Sequence, residues 1–584
     1  MKFDLSTISL NRRKFMIASV GLVGTGLLAA CGDDDEDDPT PTTAPAAQPT
    51  NTTAASDDDE EEEEAPADEE DEEEDAEPTA AEEDEEDEEP TDPPADGEPK
   101  RGGTLMIGQD FGPQEMDPNL SGAWASTNVQ ELIFNGLLRW SADMQLEPDL
   151  ATSWEISDDA LTYTFSLREG VTFHNGKAFG ADDVKHTITR IQDPEFASPR
   201  ISIYRNIESV EEIDNLTVQF NLSSPIAPLL RNLATIPHGA IVPANASNEE
   251  MLTDAPGTGP FRFIEHVLDQ EVRLEAFPDY WEEGMPYLDA VTFRLLGDDT
   301  SISAALRSES VHITWLKDPK VAQNVSQSVE SIESVEGVSC RYLPILFDLK
   351  EAPFNDVRVR RAMSLAIDRA TVVQIVLGGF GQVGTFLPPS QLGGYIGDGS
   401  DLPYYTRDVE EAKRLLAEAG YPDGLDVPEF KVVAANALDV QCAQVMAEQW
   451  AEAGIRVTIN PMEVGAILQD FSSGNFKMAT VGGVWTPDPS NESARYHSSS
   501  PQGSAYGIND PEVDRLIDAG LAESDPDKRV EIYRELQTRI LDQVYVITPY
   551  VYPLRWELIW NYVKGYDVMA NNSRISVRKT WLDI

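Results

Sequence analysis

The sequence predicts a mixed α/β body of several domains, carried behind an N-terminal export signal and a long acidic tether. Three observations lead there. Period-two apolar alternation marks strands between residues 150 and 225, and capped helical periodicity marks the C-terminal half. Composition also changes abruptly near Pro99. A chain of 584 residues has room for two to four such domains.

The export signal comes first. Arg12, Arg13 and Lys14 precede an apolar, Gly/Ala-rich run from Phe15 to Ala30, too short to span a bilayer and suited to a cleaved signal (residues 1–30). Asn11 to Met16 resembles a twin-arginine export motif; an ordinary Sec signal with two adjacent arginines is the alternative. Leu28-Ala29-Ala30-Cys31-Gly32 resembles a lipoprotein processing box, in which Cys31 becomes lipidated and forms the mature N-terminus. Each buried acyl CH₂ contributes about 0.8 kcal/mol, so a multiply acylated cysteine holds a protein on a membrane.

Residues 31–98 read as a tether. From Asp33 to Glu98 there are 34 acidic residues and no Lys or Arg, with too few apolar side chains to offset the entropy of folding. Such a chain reaches roughly 45 Å, and like-charge repulsion extends it. A spacer lifting the body off a membrane is expected; a docking or cation-binding role is the alternative. The whole chain carries a formal charge of -62, which excludes a nucleic-acid partner, since phosphate binding needs a basic footprint. The body alone has 39 basic and 70 acidic residues, a balance that favours solubility and names no ligand.

Within the body, Leu161, Tyr163, Phe165 and Leu167 alternate with polar residues as a half-buried strand. Asn175-Gly176 follows as a two-residue hairpin turn with both residues at positive φ. Leu216, Val218, Phe220 and Leu222 alternate after Asp214-Asn215, so this stretch reads as a small antiparallel subdomain. Asp408 caps a helix whose face holds Val409, Ala412, Leu415, Leu416 and Ala419, and Gly420 stops it. Pro511 and Pro526 each follow an Asp, the place of a first-turn proline. Val432-Val433, a helix over 438–453 and Ile455 to Ile459 read as a β-α-β unit.

Catalytic and metal chemistry have no support. No GxSxG or HExxH is present, so the protein is not read as an enzyme, and no cofactor is expected. The histidines (174, 186, 238, 266, 312 and 497) are scattered, against the clustering that metal capture favours. Cys340 and Cys442 either pair or remain two buried thiols.

The order of motifs resembles the peptide/nickel-type solute-binding proteins of ABC importers, family 5. Residues 150–159 (LATSWEISDD) continue into LTYTFSLREGVTFHNGKAFGADDV; then come Gly257-Thr258-Gly259-Pro260-Phe261, Pro278-Asp279-Tyr280-Trp281, and the run from Phe354 to Ala362 that leads to Ala366-Ile367-Asp368-Arg369. AKRLLAEAGYPDG at 412–424 and Pro511-Glu512-Val513-Asp514 complete the series. The resemblance implies a two-lobed periplasmic-binding-protein fold (class II, cluster C type) with an extra mixed α/β subdomain on the first lobe. Mapped onto this chain, lobe I is 99–137 with 230–343 and 546–584, the extra subdomain is 138–229, and lobe II is 344–545, with hinges near Leu343 and Val546. Asp356 is expected to cap a helix bearing Val359, Ala362, Met363 and Ala366, and Gly257 to Pro260 to shape a connection between domains.

The resemblance also implies function: a monomeric, extracytoplasmic protein anchored through Cys31, capturing a small solute between its lobes for an ABC permease. A short peptide leads; an oligosaccharide, an opine, a nickel complex, or a receptor role for a chemosensor are the alternatives. Asp488, three residues after Trp485, has the spacing of the family's anchor for a peptide α-amino group, with a turn-forming Asp-Pro as the other reading. Trp485 and the segment Trp124-Ala125-Ser126-Thr127 are further ligand candidates. Oligopeptide binders carry arginines upstream of the Trp, whereas Phe471 to Val484 contains only Lys477.

Overall fold

The computed structural model describes residues 97–120, 123–335, 338–388, 396–397, 399–480, 488–553 and 556–584. The signal, the tether, Cys31 and Trp485 lie outside the described residues. Among the described residues no helix is long and apolar enough to cross a membrane.

Two large sheets organise the body. The first has seven strands in the order Ile332–Val335, Trp556–Trp560, Ile313–Leu316, Thr104–Gln109, Ala290–Leu295, Glu271–Ala276 and Phe261–Val267. Thr104–Gln109 runs parallel to both its neighbours, so the carboxyl ends of three strands meet at one edge. Buried Leu105, Ile107, Val291, Phe293 and Ile313 pack there against Val129, Leu132 and Ile133 of the helix Trp124–Ile133.

The second sheet has five strands, Ile455–Met462, Leu425–Val433, Met478–Thr480, Ile345–Phe347 and Val546–Ile547. Leu425–Val433, the helix Ala437–Glu452 and Ile455–Met462 form the expected β-α-β unit, its strands parallel. Trp450, fully buried, sits edge-on to Phe430 and donates to the Met363 carbonyl at 3.0 Å. Asp356 caps Val357–Leu365 as expected, accepting from the Arg358 amide at 2.9 Å. Asp408 caps Val409–Glu418, Asp510 caps Pro511–Ala522 and Asp525 caps Pro526–Asp542, each proline in the first turn where its missing N–H costs nothing. The chain passes from the first sheet to the second between Val335 and Ile345 and returns between Ile547 and Trp556, and on the way Val338–Tyr342 pairs with Tyr550–Pro553 in a separate small sheet.

The alternating stretch forms a four-stranded antiparallel sheet, Ala151–Ile156, Thr162–Leu167, Thr217–Leu222 and Ile207–Asp214. Tyr163, Phe165, Leu167, Val218, Phe220 and Leu222 point into one core with the helix Ala181–Gln192. One turn differs from expectation. The Gly176 amide donates to the Phe173 carbonyl at 2.8 Å, and of the two expected residues Gly176 alone has positive φ, at 82°. The loop is the three-residue hairpin form, a turn followed by a left-handed glycine, in which only Gly176 needs positive φ.

His174 ties the subdomain to the first sheet. His174 Nε2 lies 2.9 Å from the Gly259 carbonyl, Nδ1 receives the Gly257 amide at 3.3 Å, and the His174 amide donates to the Gly257 carbonyl. The Gly257–Gly259 segment presses on the end of Trp124–Ile133: a Cβ on Gly257 would stand 1.9 Å from the Ile133 carbonyl oxygen. Cys442 is a free, buried thiol 3.6 Å from the Met446 sulfur, so the unpaired alternative holds for it.

Candidate functional site

In an open α/β sheet the carboxyl ends of the strands form the natural crevice for a ligand. Thr104–Gln109 ends there in Asp110 and Phe111, and Ile313–Leu316 in Lys317. Phe111, Trp124 and Trp315 form an edge-to-face series, with ring centroids 6.4 and 4.9 Å apart and planes inclined at 73° and 72°, geometry that the ring quadrupole favours. Trp315 is buried, Trp124 half-buried, and Phe111 is 48% exposed. Lys317 Nζ stands 2.7 Å from buried Asp110 Oδ2 and 5.9 Å from the Phe111 ring. The result is an aromatic wall with a cation and an anion at its foot.

The candidates along 124–127 divide. Ser126 is buried, its hydroxyl receiving the Gln114 and Glu115 amides at 3.0 and 3.4 Å. Ala125 is buried beneath it, its carbonyl 3.5 Å from Gln109 Nε2. These two hold the helix on the sheet. Thr127 is half-buried and bonds back to the Ala123 carbonyl at 3.2 Å. Trp124 and Thr127 are thus the half-buried members of this segment.

Arg341, on the strand Val338–Tyr342, has its guanidinium 3.9 Å from the Tyr552 ring centre. Tyr552 and Tyr550 both donate to Asp439, and Asn436 donates to its other oxygen at 2.7 Å. Burial raises the Asp439 pKa, with Arg341 and the two tyrosines opposing it.

Asp488 is buried, and its oxygens are engaged from within the protein. Arg529 grips it at two points, 2.7 Å to Oδ1 and 2.8 Å to Oδ2. Arg231 reaches Oδ2 at 2.7 Å, and the Ser490 hydroxyl and amide reach Oδ1 at 2.6 and 2.9 Å. Asp488 also caps Pro489–Ser493 with Pro489 in the first turn, which is the Asp-Pro turn reading. Burial alone would raise its pKa; Arg529 first, then Arg231 and Ser490, reverse this and hold the carboxyl well below the usual carboxylate range. A ligand ammonium expected at Asp488 meets two guanidiniums already in place. Lys477 is spent on Asp348 and Glu351, at 3.2 and 2.7 Å. Arg231, Arg529, Phe111 and Lys317 carried no local sequence signal; Arg529 lies 41 residues from its partner and Arg231 257.

Among the described residues no group of His, Cys, Asp and Glu could hold a metal ion.

Residues 145–505 match the family described as bacterial extracellular solute-binding proteins, family 5. The chain is 28% identical over 504 residues to the dipeptide-binding protein of Escherichia coli K12, covering 80% of this chain and 92% of that one. It is similar to the periplasmic binding protein DppA of Helicobacter pylori in complex with the peptide STSA: TM-score 0.74, 26% identity, 83% of this chain and 99% of that one. It is also similar to AgaA of A. tumefaciens R10 in complex with agropinic acid, with TM-score 0.73, 27% identity, and coverage of 82% and 99%.

Proposed function

The chain belongs to the bacterial extracellular solute-binding proteins of family 5, and from that premise we propose that it captures a short peptide between its two lobes and hands it to an ABC permease. Its fold is the two-lobed periplasmic-binding-protein fold, and its relatives are binding proteins of transport systems, not enzymes. The observation that carries the peptide reading is the likeness to a peptide-bound relative over nearly the whole of that chain.

In this reading the solute lies against the wall of Phe111 and Trp124, and Trp485 is a further candidate contact. Concave sites at domain interfaces are the usual place for small ligands. The crossings near Leu343 and Val546 act as the hinge, and solute gains contacts to both lobes only when they close, so it shifts the open–closed equilibrium by that difference. With Asp488 held by Arg529 and Arg231, the peptide amine takes its partner from another group; Asp110, beside Phe111 and paired with partly exposed Lys317, is the candidate. Cys31 anchors the protein to the membrane as a lipoprotein, the acidic tether spaces it from the surface, and it works as a monomer.

A second reading is an opine. It is favoured by the likeness to the agropinic-acid complex, and by the neutralisation of Asp488, the carboxylate at the peptide-anchor spacing, by Arg529 and Arg231.

Thermal unfolding of the full chain against peptides, opines and oligosaccharides separates these. A ligand at about a hundred times its Kd adds about 2.7 kcal/mol, raising the midpoint by a few degrees. Shifts with peptides support the first reading. Shifts with opines alone move the solute class, and silence across all three classes removes solute capture of this kind.

A further inference from the structure

The two cores flanking Asp488 are separate. Leu229 and Leu233, on the short helix that bears Arg231, belong to the core of the four-stranded sheet. Leu516, Ile517, Tyr533 and Leu536, on the helices beside Asp488, belong to another. Polar contacts join them across the seam. Arg231 Nη1 donates to Asp488 Oδ2 at 2.7 Å, the Ala227 amide donates to the Leu521 carbonyl at 2.9 Å, and Asn491 Nδ2 lies 3.4 Å from Asn232 Oδ1. Leu521 sits in the last turn of Pro511–Ala522, where carbonyls lack intrahelical partners and need an outside donor.

The two arginines on Asp488 are not equivalent. Arg529 is buried, its side chain 8% exposed, and its Nε is fixed on the Gly520 carbonyl at 2.9 Å. Arg231 is 29% exposed, so its head can withdraw into water on its long stem. Losing both would leave a buried carboxylate uncompensated, which is strongly unfavourable. Losing Arg231 alone leaves Asp488 still paired with Arg529, still accepting from Ser490 and still capping its helix. The site is therefore a socket completed from one side, into which a cation from the other side enters and leaves without stranding a charge.

We infer that Arg231 is a reversible latch across the lobe seam, docking into the Asp488–Arg529 socket and biasing the solute-free protein toward closure. This rests on the reading that the lobes close on solute, and it deepens it. A binding-competent state populated before solute arrives raises apparent affinity by the fraction populated. The carboxylate at the peptide-anchor spacing is thereby spent on holding the protein shut.

The test is amide-resolved hydrogen exchange on the full chain without solute. In Arg231→Gln the Ala227 amide exchanges about tenfold faster, as expected for loss of one charge-assisted bond holding the seam. The Asn232 and Ala234 amides, bonded within their own helix to the Pro228 and Leu230 carbonyls, keep their wild-type rates, and Arg231→Lys restores most of the protection at Ala227. Unchanged exchange at Ala227 overturns the latch. Equal acceleration at Asn232 and Ala234 also overturns it, because the helix has then melted and the seam has not opened. A solute panel that shifts nothing removes the solute reading, and the exchange measurement still decides the latch.

Discussion

Arg529 meets both oxygens of Asp488, at 2.7 and 2.8 Å, and neither side chain is more than 8% exposed. A bidentate, charge-assisted pair of this kind fixes geometry as well as charge. It pins the start of Pro489–Ser493 to the first turn of Pro526–Asp542.

Arg529→Met is expected to destabilise the protein by about 3–5 kcal/mol, since breaking a buried pair leaves a charge short of its partner. Urea unfolding measures it. Adding Asp488→Asn should recover part of the loss, because the amide carries no charge to bury. A cost below about 1 kcal/mol for Arg529→Met would mean that Arg231 alone suffices.

Asp149 gives a pH dependence of unusual sign. Burial raises its pKa to about 6, against the pull of Arg139 at 3.7 Å and the amide of Asn135. The folded state then holds the proton more tightly than the unfolded state does. Stability from this group is full below about pH 4, falls as pH rises toward 6, and is level above. The drop is about 3 kcal/mol at 1.36 kcal/mol per unit. Urea midpoints from pH 4 to 7 should show this component in the wild type and not in Asp149→Asn.

His174 acts in the opposite direction. Burial lowers its pKa to about 4 despite its bond to the Gly259 carbonyl, so the unfolded chain takes up the proton first. Its contribution is full above about pH 6.5 and is lost as pH falls toward 4, again about 3 kcal/mol. Subtracting the Asp149→Asn profile from that of Asp149→Asn/His174→Gln isolates it. A difference that is flat between pH 4 and 6.5 would refute the assignment.

Two glycines predict opposite outcomes for the same added methyl. Gly257→Ala puts a Cβ 1.9 Å from the Ile133 carbonyl oxygen, backbone that cannot step aside; we expect a loss of about 3 kcal/mol or failure to fold. Gly465, in the helix Val464–Ser473, has nothing within 4 Å of that position. Gly465→Ala should stabilise by about 0.5–1 kcal/mol through helix propensity. Thermal melts of both variants check the contrast.

Cys31→Ser should move the protein from the membrane fraction to the soluble fraction without changing solute affinity. Fractionation and a binding assay on the same preparation read both. Retention in the membrane would remove the lipid anchor.

The sequence by itself determined what is local and periodic. Asp356 and Asp408 each cap the helix they were expected to cap, and Pro511 and Pro526 sit in the first turns expected for them, because a cap needs only a short polar side chain two or three residues before its partner amide. The strand Thr162–Leu167 buries the residues its alternation named, because side chains on a strand alternate sides whatever lies beyond them. The ordered motifs carried the family as well. Only the tertiary structure decided the partners. Asn175 was read as a positive-φ turn residue, yet His174, tied to Gly257 and Gly259 more than 80 residues away, belongs to a different loop geometry. Asp488 reads as an anchor from its spacing to Trp485 and as a turn former from the Asp-Pro that follows. Its two guanidiniums come from helices distant in sequence, and no periodicity links them. Which charges meet across a seam depends on how separate cores pack, and that information is spread over the chain instead of residing in any one motif.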